Sequence, residues 1–188
     1  MSSRLVIEPI ASEEALREGA TAEDLAFVEQ LGSASRRSEV LAWRAIVRRE
    51  LGTEVTISHD ECGAPRVNTP DTFISVSHSR DRVAVLFSEA RCAVDIESTE
   101  RDFRKVANRY LSAEEQNVAE QNDLYAEMWS AKEALYKYYS RGGIDFVRDV
   151  AVAEYDSQRG VLLCTIFDGE PIEVRVRRED NLVIALID

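Results

Sequence analysis

Two carboxylates on one predicted strand are the first residues whose spacing suggests chemistry. Asp95 and Glu97 follow the apolar residues 92–94. Side chains two residues apart on a strand point to the same face, so these carboxylates would project side by side. Such a pair repels itself, and a hard divalent cation would relieve the repulsion. The pair is therefore a candidate metal site, although two acids on a strand that runs out into solvent would give the same pattern.

A second candidate lies in the segment Trp129-Ser130-Ala131-Lys132-Glu133-Ala134-Leu135-Tyr136-Lys137. Trp129, Glu133 and Lys137 are spaced four residues apart, which places them on one face of a helix. A Glu four residues before a Lys also forms an ordinary surface ion pair. The Trp on the same face suggests partial burial, which would be unusual for a merely solvated pair.

A third candidate is Ser77-His78-Ser79, which ends an apolar strand and precedes Arg80. Hydroxyl, imidazole and guanidinium groups are donors suited to phosphate oxygens. A nucleophilic triad is not indicated, because no G-x-S-x-G turn surrounds either serine. A strand cap with an exposed His is the alternative interpretation.

The elements that must position these residues fall into two halves with the same order. Apolar periodicity and caps predict helices over residues 21–31 and 35–51 in the first half, with Thr21 as N-cap and Gly52 as a stop. Strand-like runs follow at 54–58, 73–77, 83–87 and 92–96. The second half repeats the plan, with a capping box at Ser112 and Glu115, a helix over 124–139, and strands at 150–155, 161–167, 172–176 and 182–187. Helices followed by antiparallel strands in each half predict an α+β fold.

Composition limits the possible functions. The 188 residues carry a net charge of −12, which argues against binding nucleic acid or an anionic membrane by bulk charge. The longest apolar run, 182–187, is far shorter than a membrane helix, and the N-terminal residues do not resemble a signal peptide. Three cysteines without C-x-x-C spacing make a disulfide framework or a zinc site improbable. We therefore expect a cytoplasmic protein.

Together, and in this order, the three candidate segments resemble the 4′-phosphopantetheinyl transferase superfamily, particularly its surfactin-synthetase-activating type. The family pattern is Ser-His-Ser, then Gly-[Ile/Val]-Asp-x-Glu, then Trp-[Ser/Thr]-x-Lys-Glu-[Ala/Ser]-x-x-Lys. The second motif stands here as Ala93-Val94-Asp95-Ile96-Glu97. Residues 109–115 are similar to the family's Arg-Phe-Phe-Ser-x-x-Glu segment, and residues 36–44 are similar to its basic helix. The resemblance spans roughly residues 36–143, and its third motif is highly specific.

The resemblance implies two α+β subdomains, residues 1–92 and 93–188, related by a pseudo-two-fold axis, with coenzyme A in the cleft between them. It implies transfer of the 4′-phosphopantetheine arm of coenzyme A to a serine of an apo acyl or peptidyl carrier protein. Adenosine 3′,5′-bisphosphate would be released, and Mg²⁺ would be required. A monomeric holo-[acyl-carrier-protein] synthase type of enzyme, serving pathways such as fatty acid biosynthesis, is the expectation.

The family's site residues carry over by position. Asp95, Glu97 and Glu133 would bind the metal, Lys137 would contact the phosphates, and His78 would bond the pyrophosphate. Either Glu133 or Lys137 could be the base for the carrier serine. The remaining predicted coenzyme A ligands are Ser77, Lys132, Arg36, Arg37 and Arg44.

Two departures from the family pattern bear on these roles. The usual Gly before the acidic motif is Ala93, and the Lys of a Gly-Lys-Pro turn is Ala64. Arg66, Arg36, Arg37 and Arg44 are therefore open candidates for the 3′-phosphate. Two other functions are weighed: a non-catalytic coenzyme A or carrier-binding protein of the same fold, and a Mg²⁺-dependent pyrophosphate hydrolase.

In the family that this chain resembles, the carrier docks near the segment that follows the acidic strand, so the resemblance implies carrier docking at residues 102–121. This segment combines Arg104 and Lys105 with Phe103, Tyr110 and Leu111, which suits an acidic partner with apolar contacts. The alternative is that the three apolar residues belong to the core of a short helix and that the two cations are its solvated face.

Overall fold

The computed structural model describes residues 3–188, and its N-terminal helices begin at capping side chains. Helix α1 is Glu13–Glu18, α2 is Ala22–Val28 and α3 is Ala34–Leu51. Thr21 caps α2, as predicted, but α2 ends before residue 31. The backbone amides of Gln30 and Leu31 donate to carbonyl oxygens three residues earlier, as in a 3₁₀ turn, and not four residues earlier as in an α-helix. Helix α3 agrees with the predicted 35–51 helix and ends at Gly52, whose φ of 100° favours glycine.

A three-stranded antiparallel sheet supports α3. Its order is β1-β5-β4, with β1 Arg4–Pro9, β4 Phe73–Ser79 and β5 Arg82–Ser88. A separate hairpin joins β2 Ile57–His59 to β3 Pro65–Val67. The core lies between α3 and one face of the sheet, and it contains Val40, Leu41, Ile46, Val47, Val83, Val85 and Phe87. Strand β1 was not predicted, because it mixes charged and apolar residues and is only partly buried.

The residues from Cys92 onwards form a five-stranded antiparallel sheet in the order β6-β10-β9-β8-β7. These strands are β6 Ala93–Ser98, β7 Val150–Asp156, β8 Val161–Ile166, β9 Ile172–Glu179 and β10 Leu182–Ile187. All six residues of β10 are buried, which explains why this strand reads as an unbroken apolar run. The four strands predicted after residue 149 are confirmed within a few residues.

Helix α5 packs on this sheet, and α4 and a 3₁₀ helix pack on α5. The 3₁₀ helix is Phe103–Arg109, α4 is Ala113–Asn122 and α5 is Tyr125–Tyr139. The predicted capping box of α4, between Ser112 and Glu115, is present. Helix α5 agrees with the predicted helix over 124–139 and is followed by Ser140 in the left-handed conformation. Its buried face packs on the sheet through Met128, Ala131 and Leu135.

The contacts divide the chain into two units, one ending at Arg91 and the other comprising Cys92–Asp188. Each unit has helices packed on an antiparallel sheet and a hydrophobic core of its own. The predicted α+β class is therefore confirmed. Within residues 3–188, no helix is both long and apolar enough to cross a bilayer.

Candidate active site

The functional face of α5 lies along strand β6. The Nζ atom of Lys137 donates to the Oδ1 atom of Asp95 at 2.8 Å and to the backbone oxygen of Val94 at 3.0 Å. Two turns earlier on the helix, Trp129 Nε1 donates to Glu97 Oε1 at 2.9 Å. Glu133 lies between these two contacts on the same helix face. The structure therefore brings together the acidic strand motif and the helix motif that the sequence singled out.

Burial distinguishes Asp95 from a merely solvated acid. Asp95 is only 5% exposed, and it faces the side of β6 that also carries Glu97. A carboxylate at such a position is costly unless it is paired, and the ammonium group of Lys137 provides that pairing. The interpretation of the pair as acids at a solvent-exposed strand end is therefore wrong for Asp95.

Glu133 is in an environment that disfavours its ionised form. Burial, together with the negative charges of Asp95 and Glu97, raises its pKa to about 7, and Lys137 and Arg101 offset this only in part. A carboxyl group with a pKa near neutrality exchanges protons readily at physiological pH. The raised pKa also means that added positive charge would stabilise the ionised form of Glu133.

Arg101 is a site residue that the sequence did not reveal. Its guanidinium donates to Glu97 Oε1 at 3.0 Å. It also lies over the rings of Phe103 and Trp129, with its Cζ atom 4.4 and 5.1 Å from their centroids. Tyr110 meets Trp129 edge-on at 5.1 Å between centroids. Glu97 is thus held by an indole and a guanidinium, and both of these are fixed by an aromatic cluster.

The family pattern implies a metal ion, and a metal ion needs several ligands that converge on one point. Across residues 3–188, no three or more His, Cys, Asp or Glu side chains are grouped in a way that could hold a metal ion. Asp95 and Glu97 are paired with Lys137 and Arg101 instead. The donor chemistry nevertheless suits a hard cation, because the oxygens are carboxylates and Glu133 is in a locally negative environment.

Lys132 lies on a different face of α5 from Glu133 and is completely buried. Its Nζ atom donates to Glu115 Oε2 at 2.8 Å and to the backbone oxygens of Phe146 and Val150 at 2.8 and 2.7 Å. These bonds use all three ammonium protons. Burial lowers the pKa of Lys132, and the contact with Glu115 opposes that effect. This arrangement argues against direct contact between Lys132 and coenzyme A.

In the N-terminal unit, His78 is on the exposed side of β4. Arg36 Nη1 lies 2.9 Å from His78 Nε2, and Glu39 approaches the same nitrogen at 3.4 Å. A guanidinium can only donate and a carboxylate can only accept, so His78 Nε2 lies beside one donor and one acceptor. Ser77 is 5% exposed and points to the opposite face of the strand. His78 and Arg36 are therefore neighbours, whereas Ser77 is not on their side of the sheet.

The other two arginines predicted to bind coenzyme A are engaged within the N-terminal unit. Arg37 donates to Glu13 at 2.8 Å and to the backbone oxygen of Leu31 at 3.1 Å. Arg44 is 1% exposed, and its guanidinium pairs with Asp24 and Glu23. These positions favour a structural role for both arginines.

The candidate docking segment is divided between the core and the surface. Phe103, Tyr110 and Leu111 are at most 2% exposed, so the alternative interpretation applies to them and they belong to the core. Phe103 in the 3₁₀ helix and the two residues that follow this helix, Tyr110 and Leu111, pack in the same core cluster as the buried face of α5. The side chains of Arg104 and Lys105 are 56% and 79% exposed, and each forms one surface ion pair.

The family pattern that these residues suggest is borne out by comparison with known proteins. Residues 91–187, about half of the chain, match the family model described as "4′-phosphopantetheinyl transferase superfamily". The chain belongs to this superfamily, as its motifs predicted. A curated protein, the 4′-phosphopantetheinyl transferase Sfp of Bacillus subtilis (strain 168), is similar at 28% identity over 109 residues, which is 53% of this chain. The similarity covers 49% of that relative, so the chain matches about half of its length.

Proposed function

We propose that this protein transfers the 4′-phosphopantetheine arm of coenzyme A to a serine of an apo acyl or peptidyl carrier protein. Membership of the superfamily supports phosphopantetheine transfer in general. The observation that carries the proposal is the position of Glu133 between the Lys137–Asp95 and Trp129–Glu97 contacts. A non-catalytic relative would have no need for three carboxylates and a lysine in this arrangement.

We infer that Asp95, Glu97 and Glu133 together hold Mg²⁺. Their carboxylate oxygens are the ligands that this cation prefers, and the raised pKa of Glu133 supports a local need for positive charge. When bound, the cation would supply charge stabilisation for phosphate oxygens. Lys137, one turn beyond Glu133, would donate to the same phosphates.

In the transfer, the serine oxygen of the carrier forms a bond to the β-phosphorus of coenzyme A. The bond from this phosphorus to the bridging oxygen breaks, and adenosine 3′,5′-bisphosphate leaves with that electron pair. The serine proton passes to a base on the enzyme. Lys137 is already engaged as a donor to Asp95, so Glu133 suits this role better than Lys137.

We infer that His78 and Arg36 contact the phosphates of coenzyme A. Both are accessible and adjacent in the N-terminal unit, and the guanidinium offers several donors. Ser77, Lys132, Arg37 and Arg44 remain predicted ligands, but burial or existing contacts argue against direct binding by each of them. Arg66 pairs with Asp60 at 2.7 Å and Arg36 pairs with Glu39 at 3.1 Å. Arg36 is the better candidate for the 3′-phosphate, because it is the more exposed of the two and lies beside His78.

We propose that the partner is an acidic carrier protein and that the protein acts as a holo-[acyl-carrier-protein] synthase type of enzyme. The proposed setting is the cytoplasm, where the carrier would serve the synthesis of fatty acids or similar products. Because the protein itself has a net charge of −12, long-range attraction would not steer an acidic partner to it. Recognition would then depend on exposed local cations, and Arg104 and Lys105 are candidates for this role.

Mass spectrometry of purified apo carrier proteins, incubated with coenzyme A and Mg²⁺, tests the function. The wild-type protein is expected to add the mass of phosphopantetheine to the serine, and Glu133→Gln is expected to lower turnover at least a hundredfold. Glu173→Gln is the matched control, because Glu173 is exposed and paired only with Arg159 on the surface. Coenzyme A consumption without a carrier would instead indicate a pyrophosphate hydrolase. Coenzyme A binding without turnover on any carrier would indicate a binding protein.

A further inference from the structure

Arg101 contacts one of the three acids proposed to bind the cation. Its Nη1 atom donates to Glu97 Oε1 at 3.0 Å. The Arg101 side chain is 47% exposed, whereas the Glu97 side chain is only 15% exposed. Arg101 belongs to none of the family motifs described above, and the proposed function gives it no role. Its position on a predicted metal ligand therefore calls for an explanation.

The Arg101 side chain is also held by contacts that do not involve Glu97. The backbone amide of Arg101 donates to the backbone oxygen of Ser98 at 3.1 Å, which closes the turn after β6. The Cζ atom of Arg101 lies 4.4 Å from the ring centroid of Phe103 and 5.1 Å from that of Trp129. Phe103 is a core residue and only 2% exposed. An exposed ion pair loses much of its strength to side-chain mobility, and these contacts reduce that loss for Arg101.

The Oε1 atom of Glu97 is engaged by two donors at once. It accepts from Trp129 Nε1 at 2.9 Å as well as from Arg101. A carboxylate oxygen has about two lone-pair positions, so these two bonds use the accepting capacity of Oε1. A cation that takes this oxygen as a ligand has to displace one of the two donors.

Only one of these donors competes with a cation by its charge. The indole of Trp129 is neutral, whereas the guanidinium of Arg101 carries a positive charge that repels a second cation beside Glu97. Lys137 pairs with Asp95 at 2.8 Å in a similar way, but Lys137 also has a proposed role towards the phosphates. Within residues 3–188, Glu97 is the only carboxylate with which Arg101 forms an ion pair. Arg101 is therefore the group that opposes a cation specifically at Glu97.

We propose that Arg101 competes with the divalent cation for Glu97 and thereby sets the cation concentration at which the site fills, an inference that rests on the metal site proposed above. Arg101 is a positioning residue in this role, because it acts on the cation through Glu97. The rings of Phe103 and Trp129 give the guanidinium cation–π contacts that do not depend on Glu97, so the side chain keeps these contacts when it releases the carboxylate. The site then fills at a higher cation concentration than it would without the guanidinium.

Direct measurement of cation binding tests this inference without substrate or turnover. Mn²⁺ is the probe, because it takes the oxygen ligands that suit Mg²⁺ and its free form can be counted by electron paramagnetic resonance. We expect Arg101→Met to bind Mn²⁺ about fivefold more tightly than the wild type, because the ion pair with Glu97 no longer has to be broken. Added Mg²⁺ should displace the bound Mn²⁺ from both proteins.

Arg177→Met is the matched control. Arg177 is 48% exposed and pairs with Glu179 at 2.9 Å, so this variant removes a guanidinium from a similar ion pair and changes the net charge equally. Glu179 is not a predicted metal ligand. The Mn²⁺ affinity of Arg177→Met should therefore equal that of the wild type.

Further variants separate competition for Glu97 from other effects of the substitution. Arg101→Lys keeps the positive charge, so its Mn²⁺ affinity should stay within about twofold of the wild type. Arg101→Gln removes the charge but keeps a neutral donor, and it should also gain affinity, which covers the case that Arg101→Met does not fold. In the Glu97→Gln background, Arg101→Met should no longer raise the affinity, because the carboxylate that is competed for is absent.

Three results would overturn the inference. Equal Mn²⁺ affinity of the wild type and the folded Arg101→Met would show that the two cations do not compete. Lower affinity of both folded Arg101→Met and Arg101→Gln would show that Arg101 orients Glu97 for the cation instead. An equal gain in the Glu97→Gln background would show that the charge of Arg101 acts on the cation without Glu97.

The outcome for the proposed function is distinguishable from these results. Transfer to a carrier by the wild type would leave that function standing whichever of them is found. Wild-type protein that binds neither Mn²⁺ nor Mg²⁺ would refute the proposed metal site, and this inference with it. Tighter Mn²⁺ binding by Arg101→Met, together with no transfer to any carrier by the wild type, would count against the proposed function alone.

Discussion

The ion network around Asp24 predicts how the stability of the N-terminal unit depends on pH. Asp24 is 2% exposed and accepts hydrogen bonds from Arg48, Arg44 and Thr21. Burial opposes its ionisation, but these hydrogen bonds outweigh burial and lower its pKa from 3.8 to about 2. The folded state therefore binds a proton at Asp24 less readily than the unfolded state does.

The sign and size of the effect follow from this difference. A carboxylate whose pKa is lowered on folding adds stability above its unfolded pKa, and this stability is lost as the pH falls from about 4 to about 2. At about 1.4 kcal/mol for each tenfold change in proton affinity, Asp24 contributes about 2 kcal/mol above pH 4. Asp24→Asn should remove this contribution and also leave the buried guanidiniums of Arg44 and Arg48 without their main counter-charge. We expect a total loss of about 3–5 kcal/mol at pH 7.

Urea unfolding between pH 2.5 and 7 measures both effects. Tryptophan fluorescence follows the unfolding of both units, because Trp43 lies in the N-terminal unit and Trp129 in the C-terminal unit. Far-ultraviolet circular dichroism, recorded on the same samples, measures the loss of secondary structure independently. Asp24→Asn should unfold at lower urea and lose less stability between pH 4 and pH 2.5 than the wild type. Asp81→Asn, at a side chain that is 76% exposed, is the matched control and should behave as wild type. If Asp24→Asn has the stability and pH dependence of the wild type, the role assigned to this network is refuted.

Three other predictions separate ligand contact from structural support. Arg36→Met should weaken coenzyme A binding about tenfold, measured by calorimetry, and leave the free energy of unfolding unchanged. Arg44→Met should lower the free energy of unfolding, measured in urea, and leave the affinity for coenzyme A unchanged. The reverse pattern would contradict both roles. Lys132→Met should lower the free energy of unfolding by about 3–5 kcal/mol, because the buried carboxylate of Glu115 and two backbone oxygens lose their hydrogen-bond donor. An unchanged melting temperature would refute this prediction. Charge reversal at Arg104 and Lys105 should raise the KM for the carrier several-fold at low salt and make this KM less dependent on salt concentration than in the wild type. An unchanged KM would place the docking surface elsewhere.

Local signals were enough to predict much of the fold. Helix α3 lies between Ser33 and Gly52, and the capping box of α4 uses Ser112 and Glu115, so short-range hydrogen bonds fix these boundaries. Strand β10 is an unbroken apolar run and was located from hydropathy alone. Strand β1 and the 3₁₀ helix were missed because their burial depends on distant partners, such as the pairing of Leu5 with Leu86.

For the site, residue spacing placed the right side chains together but not their partners. The four-residue spacing of Trp129, Glu133 and Lys137 predicted a shared helix face, and the contacts with β6 agree with it. Arg101 lies in a surface turn after β6, where no periodic pattern indicates which way a side chain points. Lys132 is adjacent to Glu133 in sequence, and only the packing of α5 against the following loop and β7 shows that it is buried.

Glu115 has a further effect at the free edge of the five-stranded sheet. Within residues 3–188, strand β7 is the last strand in the order and pairs only with β8, so one side of it presents backbone groups that a strand from another molecule could bind. Glu115 Oε1 accepts the bond from the backbone amide of Val152 at 2.7 Å, and the pairing of β7 with β8 is irregular between Val152 and Glu154. The capping residue of α4 thereby occupies a donor on this edge, and the irregularity interrupts the regular ladder that edge-to-edge association needs. The same carboxylate that pairs with Lys132 thus also removes one amide donor from the free edge of the sheet.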